Sequence, residues 1–247
     1  LGSLIPEKLK EVLEKPPMTK AGEEQASALL SEFVNDKVEG YFKNISFPDK
    51  SRYYCSSLSP HISWGNITIR QVYQYCKINK KNVSAKKSLN QFMARLKWHC
   101  HFIQKFESEP DIEFENLNPA FNNIRTKKNK KLLKAWKNGL TGYPLVDAAM
   151  RCVRETGNLN FRLRAMVVSF LTHLMWQPWR EGAAHLARMF QDYEPGIHYN
   201  QFQMQSGVTG INSIRIYNPV KQQSDHDPDG TFVRRWCPEL RNVPNEY

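Results

Sequence analysis

Residues 136–157 read WKNGLTGYPLVDAAMRCVRETG, and the order of residue types predicts a helix over Pro144 to Thr156. Proline is tolerated in a first helical turn, where its missing N–H would have had no partner. Gly157 then supplies the left-handed residue that commonly ends a helix. Working outward, Arg162 to Met175 and Pro178 to Phe190 predict two more helices, divided at Gln177-Pro178 because the residue before a proline resists the helical conformation. Towards the N-terminus, Glu23 to Tyr41 sets Ala26, Leu29, Leu30, Phe33, Val34 and Val38 at three- and four-residue spacings, which is one buried stripe. Ile69 to Ile78 predicts a helix after a turn at Gly65-Asn66. Leu89 to Phe106 carries Phe92, Met93, Leu96, Phe102, Ile103 and Phe106 on a similar stripe until Pro110 ends it. Strand signals are almost absent, and no tandem period of about 20 to 50 residues marks a solenoid. The expectation is an all-α chain, one mainly helical domain over residues 1–247. Loops are expected at Asn44 to Leu58, Ser108 to Asn129, Tyr193 to Gly210 and Asn218 to Gly230, from their Pro, Gly, Asn and charge. Loops longer than about 12 to 15 residues usually bind something or move.

Composition bounds the function classes. The 247 residues are 40% hydrophobic, 12% aromatic and 24% charged, enough apolar material for a sizeable core and too little charge for wholesale disorder. The longest apolar run, Ala165 to Trp176, is interrupted by Ser169, Thr172 and His173, so no membrane span is expected. The opening LGSLIPEKLKEVLEK lacks an apolar stretch behind a basic head, so it does not predict a secretory signal, and an intracellular address is expected. Five cysteines with no C-x-x-C pair agree with a reducing compartment and offer neither a disulfide framework nor a four-thiolate metal site. The excess of 35 basic over 24 acidic residues is clustered. Lys77, Lys80, Lys81, Lys86 and Lys87 form one group; Arg125, Lys127, Lys128, Lys130, Lys131, Lys134 and Lys137 form another. Such clusters suit a polyanion such as DNA, and they equally suit solvated helix faces.

Ser56-Ser57-Leu58-Ser59-Pro60 places three hydroxyls beside a helix start, with Ser59 as N-cap and Pro60 at the first helical position. Free N–H groups and the helix dipole favour an anion there, although a serine followed by proline is also an ordinary helix start. His99 and His101 are two apart on a helix and point to different faces, with no carboxylate to complete a metal site. Asp225 to Gly230 looks calcium-like, but its spacing fails the EF-hand rule, so a polar turn explains it. No metal is expected.

Beyond residue 157 the chain continues NFRLRAMVVSFLTHLMWQPWREG and later IRIYNPVKQQSDHDPDGTFVRRWCPEL. With the serine run and the TGYP stretch, these strings resemble the FAD-binding domain of the cryptochrome and DNA photolyase family, over roughly residues 41 to 247. The resemblance implies an all-helical domain holding one FAD, non-covalently and folded on itself, in a cavity open to a basic surface. It implies pyrophosphate and ribityl contacts from Tyr41, Ser56, Ser57, Leu58 and Ser59, an arginine pair at Arg162 and Arg164, and an Arg164–Asp192 ion pair beside the flavin ring, with Glu194 as the second acid of that loop. The chemistry is consistent: flavin reduction puts negative charge near N1 and the C2 carbonyl, which a guanidinium stabilises if a carboxylate balances it at rest. As single residues, Arg164 and Asp192 read as ordinary exposed charges.

The chain departs from the family pattern in several places. Cys55 stands for the usual Thr, Phe161 for the Asn before the arginine pair, and Glu194 for an Asp. His198 takes the place opposite flavin N5, where a histidine titrating near neutral pH would exchange a proton; the plainer reading is a histidine satisfied by backbone. Of the three tryptophans of the usual electron route only the middle one, Trp179, remains; Phe202 and Thr126 occupy the others. Tyr193, Tyr199, Tyr217 and Trp176 offer another path or are plain packing. On the substrate side Arg95 replaces a lesion-binding glutamate, Trp98 is kept, and Met204 and Ala165 fill lesion-flanking positions. Trp98, Trp179 and His198 are therefore the candidates for chemistry. The leading expectation is a lyase-type, light-driven electron transfer to a pyrimidine photoproduct in DNA. The alternatives are a cryptochrome-type photoreceptor and a helical nucleic-acid module without flavin. Measured against the family, the expectation is a fragment or excised domain, without the N-terminal α/β antenna domain and cut short after Pro238-Glu239-Leu240.

Overall fold

A computed structural model describes residues 19–211 and 213–244, and among them every regular element is a helix. The reading of the first fifteen residues falls outside the described part. The chain runs α1 (Glu23–Glu32), a π turn (Phe33–Lys37), α2 (Val38–Asn44), α3 (Pro48–Tyr54), α4 (Ser59–Ser63), α5 (Ile69–Asn79) and α6 (Lys86–Ser108). It continues through α7 (Lys130–Asn138), α8 (Pro144–Thr156), α9 (Phe161–Ser169) with a π turn at Phe170–Leu174, and α10 (Trp179–Ala187). α11 (Pro195–Ser206), α12 (Pro219–His226) and α13 (Thr231–Trp236) complete it.

Local chemistry sets the ends. Thr68 and Gln71 form a reciprocal capping box at the start of α5. The Asn129 side chain accepts from Lys131 and Leu132 N–H, and Gly139 closes α7 at φ 63°. Asn160 caps α9 by accepting from Leu163 N–H. The turn before α8 is tied by one buried carboxylate: Asp147 accepts from Thr141 N–H and Oγ1 at 2.7 Å and from Gly142 N–H at 2.9 Å. Gly157 ends α8 in the left-handed region, as the sequence predicts.

Three stretches expected as loops hold helices. α3 lies within 44–58, α11 within 193–210 and α12 within 218–230. Each opens on a proline in its first turn, and Asn218 caps α12. α11 carries no one-sided stripe because it is enclosed: α6, α9 and α10 pack around it, and Tyr199, Asn200, Phe202, Gln203 and Ser206 are all buried. A helix covered on several sides has no polar face to give it a period. The expected helix 162–175 is α9 followed by a π turn, and the expected helix 23–41 is interrupted by another.

Two apolar clusters form. One gathers Phe33, Val34, Tyr41, Leu89 and Phe92 from the first π turn, α2 and α6. The other gathers Trp136, Met150, Leu163, Met166, Leu171 and Phe202 from α7 to α11. α6 bridges them, packing on α2 along one part and on α11 along another. At the second crossing Gly196 lets the helices touch. A Cβ there would lie 2.8 Å from Ile103 Cδ1 and 3.1 Å from Ile103 Cα. Gly196→Ala is therefore expected to cost about 1–3 kcal/mol by overpacking. The check is a lower urea midpoint at unchanged slope.

Candidate functional site

The seam between the two clusters opens as a cleft of about 530 Å³, within the usual range of about 300–1,000 Å³ for small-molecule sites. Tyr41, Leu58 and Phe92 come to its wall from the first cluster; Cys152, Leu159, Leu163 and Phe232 come from the second. Phe33, Tyr41 and Phe92 brace one another edge to face or tilted, with centroids 4.5–5.8 Å apart. Burial pushes the Tyr41 phenol above its ordinary range and the Cys55 thiol up to about 11, with Arg95 pulling both partly back. Both groups are neutral near pH 7.

Polar groups collect at two places on this wall. One is the serine run, where Ser56, Ser57 and Ser59 all reach the cleft. Ser57 has φ 54°, an unusual left-handed conformation for a residue with a side chain. Leu58 rather than Ser59 is the N-cap of α4, because Ser59 already has helical pairing, and no side chain caps that end. The Ser57 and Ser59 hydroxyls thus remain unused for capping.

The other is an arginine held on three sides. Arg164 Nη2 donates to both Asp192 oxygens, at 3.0 and 2.9 Å, and Nε donates to the Leu159 carbonyl at 2.8 Å. Its guanidinium lies 4.1 Å from the Phe190 ring centroid. The Asp192 side chain is 6% exposed, that of Arg164 29%. Arg164 lines the cleft and Asp192 stands behind it. The loop carrying Asp192 is fastened next door: Gln191 N–H donates to the Gly157 carbonyl at 3.0 Å, and Trp64 Nε1 donates to the Gln191 carbonyl at 2.8 Å.

Tyr41, Ser56, Ser57, Leu58, Ser59 and Arg164 therefore share one wall, whereas Arg162, Glu194, His198, Trp98 and Trp179 do not line the cleft. Arg162 Nη2 reaches Ser46 Oγ at 3.4 Å. Glu194 Oε2 meets His99 Nε2 at 2.7 Å and ties the start of α11 to α6. Trp98 is an exposed ring beside His101 and Phe102. Trp179 is buried and donates from Nε1 to Asn116 Oδ1 at 2.8 Å. Wall residues that sequence reasoning missed include Arg52, Cys152, Asn158 and Asn160. Arg52 Nη2 donates to Cys152 Sγ at 2.9 Å across 100 residues of sequence. Only Asn160, as a helix N-cap, had a local signal.

His198 is buried against backbone. Its Nε2 lies 2.9 Å from the Ala183 carbonyl, which can only accept, so Nε2 carries the proton. Burial, helped by Arg164, depresses the ring's pKa to about 4. That shift favours the neutral ring near pH 7. His185, desolvated and close to Lys137 and Arg188, is likewise lowered to about 4. An unfolded chain protonates these rings near 6.5, so their contribution is intact above that pH and is lost as pH falls from 6.5 towards 4. For His198 the loss is on the order of 3 kcal/mol. Urea unfolding between pH 7 and 4.5 is expected to show this decline, and His198→Asn is expected to flatten it.

A family model described as the FAD binding domain of DNA photolyase matches residues 92–247. The deoxyribodipyrimidine photo-lyase of Alkalihalophilus pseudofirmus is 33% identical over 228 residues, 92% of this chain and 47% of that protein. The chloroplastic/mitochondrial cryptochrome DASH of Solanum lycopersicum is 31% identical over 194 residues, 78% of this chain and 34% of that protein. The crystal structure of a bacterial class III photolyase from Agrobacterium tumefaciens superposes with TM-score 0.85 at 30% identity, covering 92% of this chain and 47% of that one. The chain spans about half the length of the curated photo-lyases it matches. With more than half of its residues under the family model and its fold in common with that crystal structure, the chain belongs to the family of FAD-binding domains of DNA photolyases.

Proposed function

We propose that the cleft between the two apolar clusters holds FAD, and that the bound flavin serves light-driven electron transfer to a pyrimidine photoproduct in damaged DNA. The observation that carries this reading is the pairing of serine hydroxyls and a fixed Arg164–Asp192 couple on one aromatic-walled cleft. The donor set suits the group. Hydroxyls left free of capping match a diphosphate, apolar and aromatic walls match flat rings, and a balanced guanidinium matches a ring system that gains negative charge on reduction.

When bound, FAD supplies light absorption and one-electron chemistry. The chain's residues do the rest. Ser56, Ser57 and Ser59 donate hydrogen bonds to the diphosphate, and Tyr41 and Phe92 exclude water from the cleft. Arg164 stays oriented because Asp192, the Leu159 carbonyl and the Phe190 ring each fix one side of it. No reorganisation is needed when charge develops opposite it. The lysines of the basic clusters hold the phosphate backbone, Arg125 being buried on the Thr172 and Ser206 carbonyls, so binding of duplex DNA falls steeply with salt.

A second reading, a cryptochrome-type photoreceptor, is favoured by one observation. By the family likeness Arg95 stands where a lesion-binding glutamate is usual, and its guanidinium lies against the Phe161 ring, 5.2 Å from the centroid. Illumination of reduced, flavin-loaded protein with ultraviolet-damaged oligonucleotide separates the readings. Restored pyrimidines establish repair; tight flavin without lesion turnover assigns the photoreceptor; colourless purified protein removes both.

A further inference from the structure

From Lys50 to Phe106 the chain contains no aspartate or glutamate, yet eleven lysines and arginines fall in that span. All of α5 and α6 up to its last turn, where Glu107 stands, lie within it, so this part of the surface is basic with no acid near it in sequence. Between the two helices runs a groove of about 570 Å³ that shares no lining residue with the first cleft. Ile69, Tyr73 and Leu96 form an apolar and aromatic floor, and Arg70, Lys77 and Lys97 flank it. None of these three cations makes an ion pair among the described residues. Lys97 Nζ lies 5.8 Å from the Tyr73 ring centroid, which brings a charge and a stacking face to the same spot.

The spacing discriminates between anions. Arg70 and Lys77 are two helical turns apart on α5, about 10 Å along its axis. A single phosphate is too short to bridge them, whereas a strand with repeating phosphates spans them. An apolar floor beside those charges has no use for a duplex, which shows the groove its phosphates and hides its bases. An unpaired strand offers both, one charge per nucleotide and a flat face that stacks on tyrosine.

We propose that the groove between α5 and α6 is a second nucleic-acid site, which takes an undamaged single strand with a base against Tyr73 and phosphates on Arg70, Lys77 and Lys97. This site needs neither flavin nor light, so its failure leaves the reading of the first cleft untouched.

The test measures binding of the 247-residue chain to fluorescent oligothymidylate in the dark by anisotropy, across a salt series. Replacing Arg70, Lys77 and Lys97 together by alanine is expected to weaken binding at least tenfold. The slope of log affinity against log salt is expected to fall by about 2, since each phosphate contact on a single strand contributes about 0.7. Removing the same charge outside both basic clusters, with the exposed Lys20, Arg188 and Arg241 changed to alanine, is expected to cost less than threefold. Equal losses in the two triple variants overturn the proposal, because net charge alone would then explain the binding. So does polyglutamate competing as well as the oligonucleotide. A measurement on the unaltered chain guards against misfolded variants: an oligonucleotide carrying 5-iodouracil is expected to photocrosslink to Tyr73, and crosslinks confined to other regions reject the site.

Discussion

Arg164→Met is expected to yield protein that purifies without flavin and unfolds about 3–5 kcal/mol more easily. The reason is the carboxylate left behind. Asp192 is 6% exposed and takes both of its close hydrogen bonds from Arg164 Nη2, so removing the guanidinium strands a buried negative charge. The companion Arg164→Met/Asp192→Leu removes both charges and is expected to regain most of the lost stability, since a buried ion pair replaced by apolar groups of similar size is often neutral. It is not expected to regain flavin. Urea midpoints and the flavin absorbance of purified protein therefore report two separate roles, one in holding the loop and one in facing the cleft. A double variant that keeps full flavin occupancy would remove Arg164 from the binding site.

Arg125→Met is expected to destabilise by roughly 3 kcal/mol while leaving the cleft's wall in place. Arg125 is 6% exposed and has no carboxylate partner among the described residues. Its Nη1 donates to the Thr172 carbonyl at 3.1 Å and its Nη2 to the Ser206 carbonyl at 2.6 Å, with the guanidinium 5.5 Å from the Trp176 ring centroid. Thr172 lies in the π turn after α9 and Ser206 ends α11. One planar group thus satisfies carbonyls at the ends of two elements that leave such groups unpaired. Burial lowers its pKa from the usual arginine value, but a guanidinium starts so high that it stays charged. Arg125→Lys is expected to recover less than half of the loss, because an ammonium cannot present two donors in a fork. Urea unfolding of both variants supplies the comparison.

What sequence reasoning caught and missed follows from how each element is covered. Helices with one wet face, such as α5 and α6, announce themselves through apolar spacing. α8 announces itself through Pro144 and Gly157. α11 is packed on several sides by α6, α9 and α10, and its mixture of buried Asn200, Gln203 and Tyr199 has the composition of a loop. The Asn200 and Gln203 amides were satisfied by carbonyls at Phe102, Ile112 and Glu115, partners far away in sequence that no local pattern could supply. The cleft divides in the same way. Tyr41, Ser56 to Ser59 and Arg164 could be named because a family likeness pointed to them. Arg52, Cys152 and Asn158 reach the same wall from separate segments with no spacing in common. His198 was placed by the likeness but its charge state was not, because that depends on the Ala183 carbonyl and on burial.

The π turn at Phe33–Lys37 has a bearing on how this chain can change length. A π turn holds one residue more than an α turn, so the helix downstream is rotated by about a quarter turn relative to an unbroken one. That rotation is what brings Val38 and Tyr41 onto the side where Phe92 waits. Loss of one residue from this stretch would leave a smooth, well-formed rod whose tyrosine no longer looks into the cleft. A one-residue deletion here therefore spares the helix itself and turns its aromatic side away from the cleft.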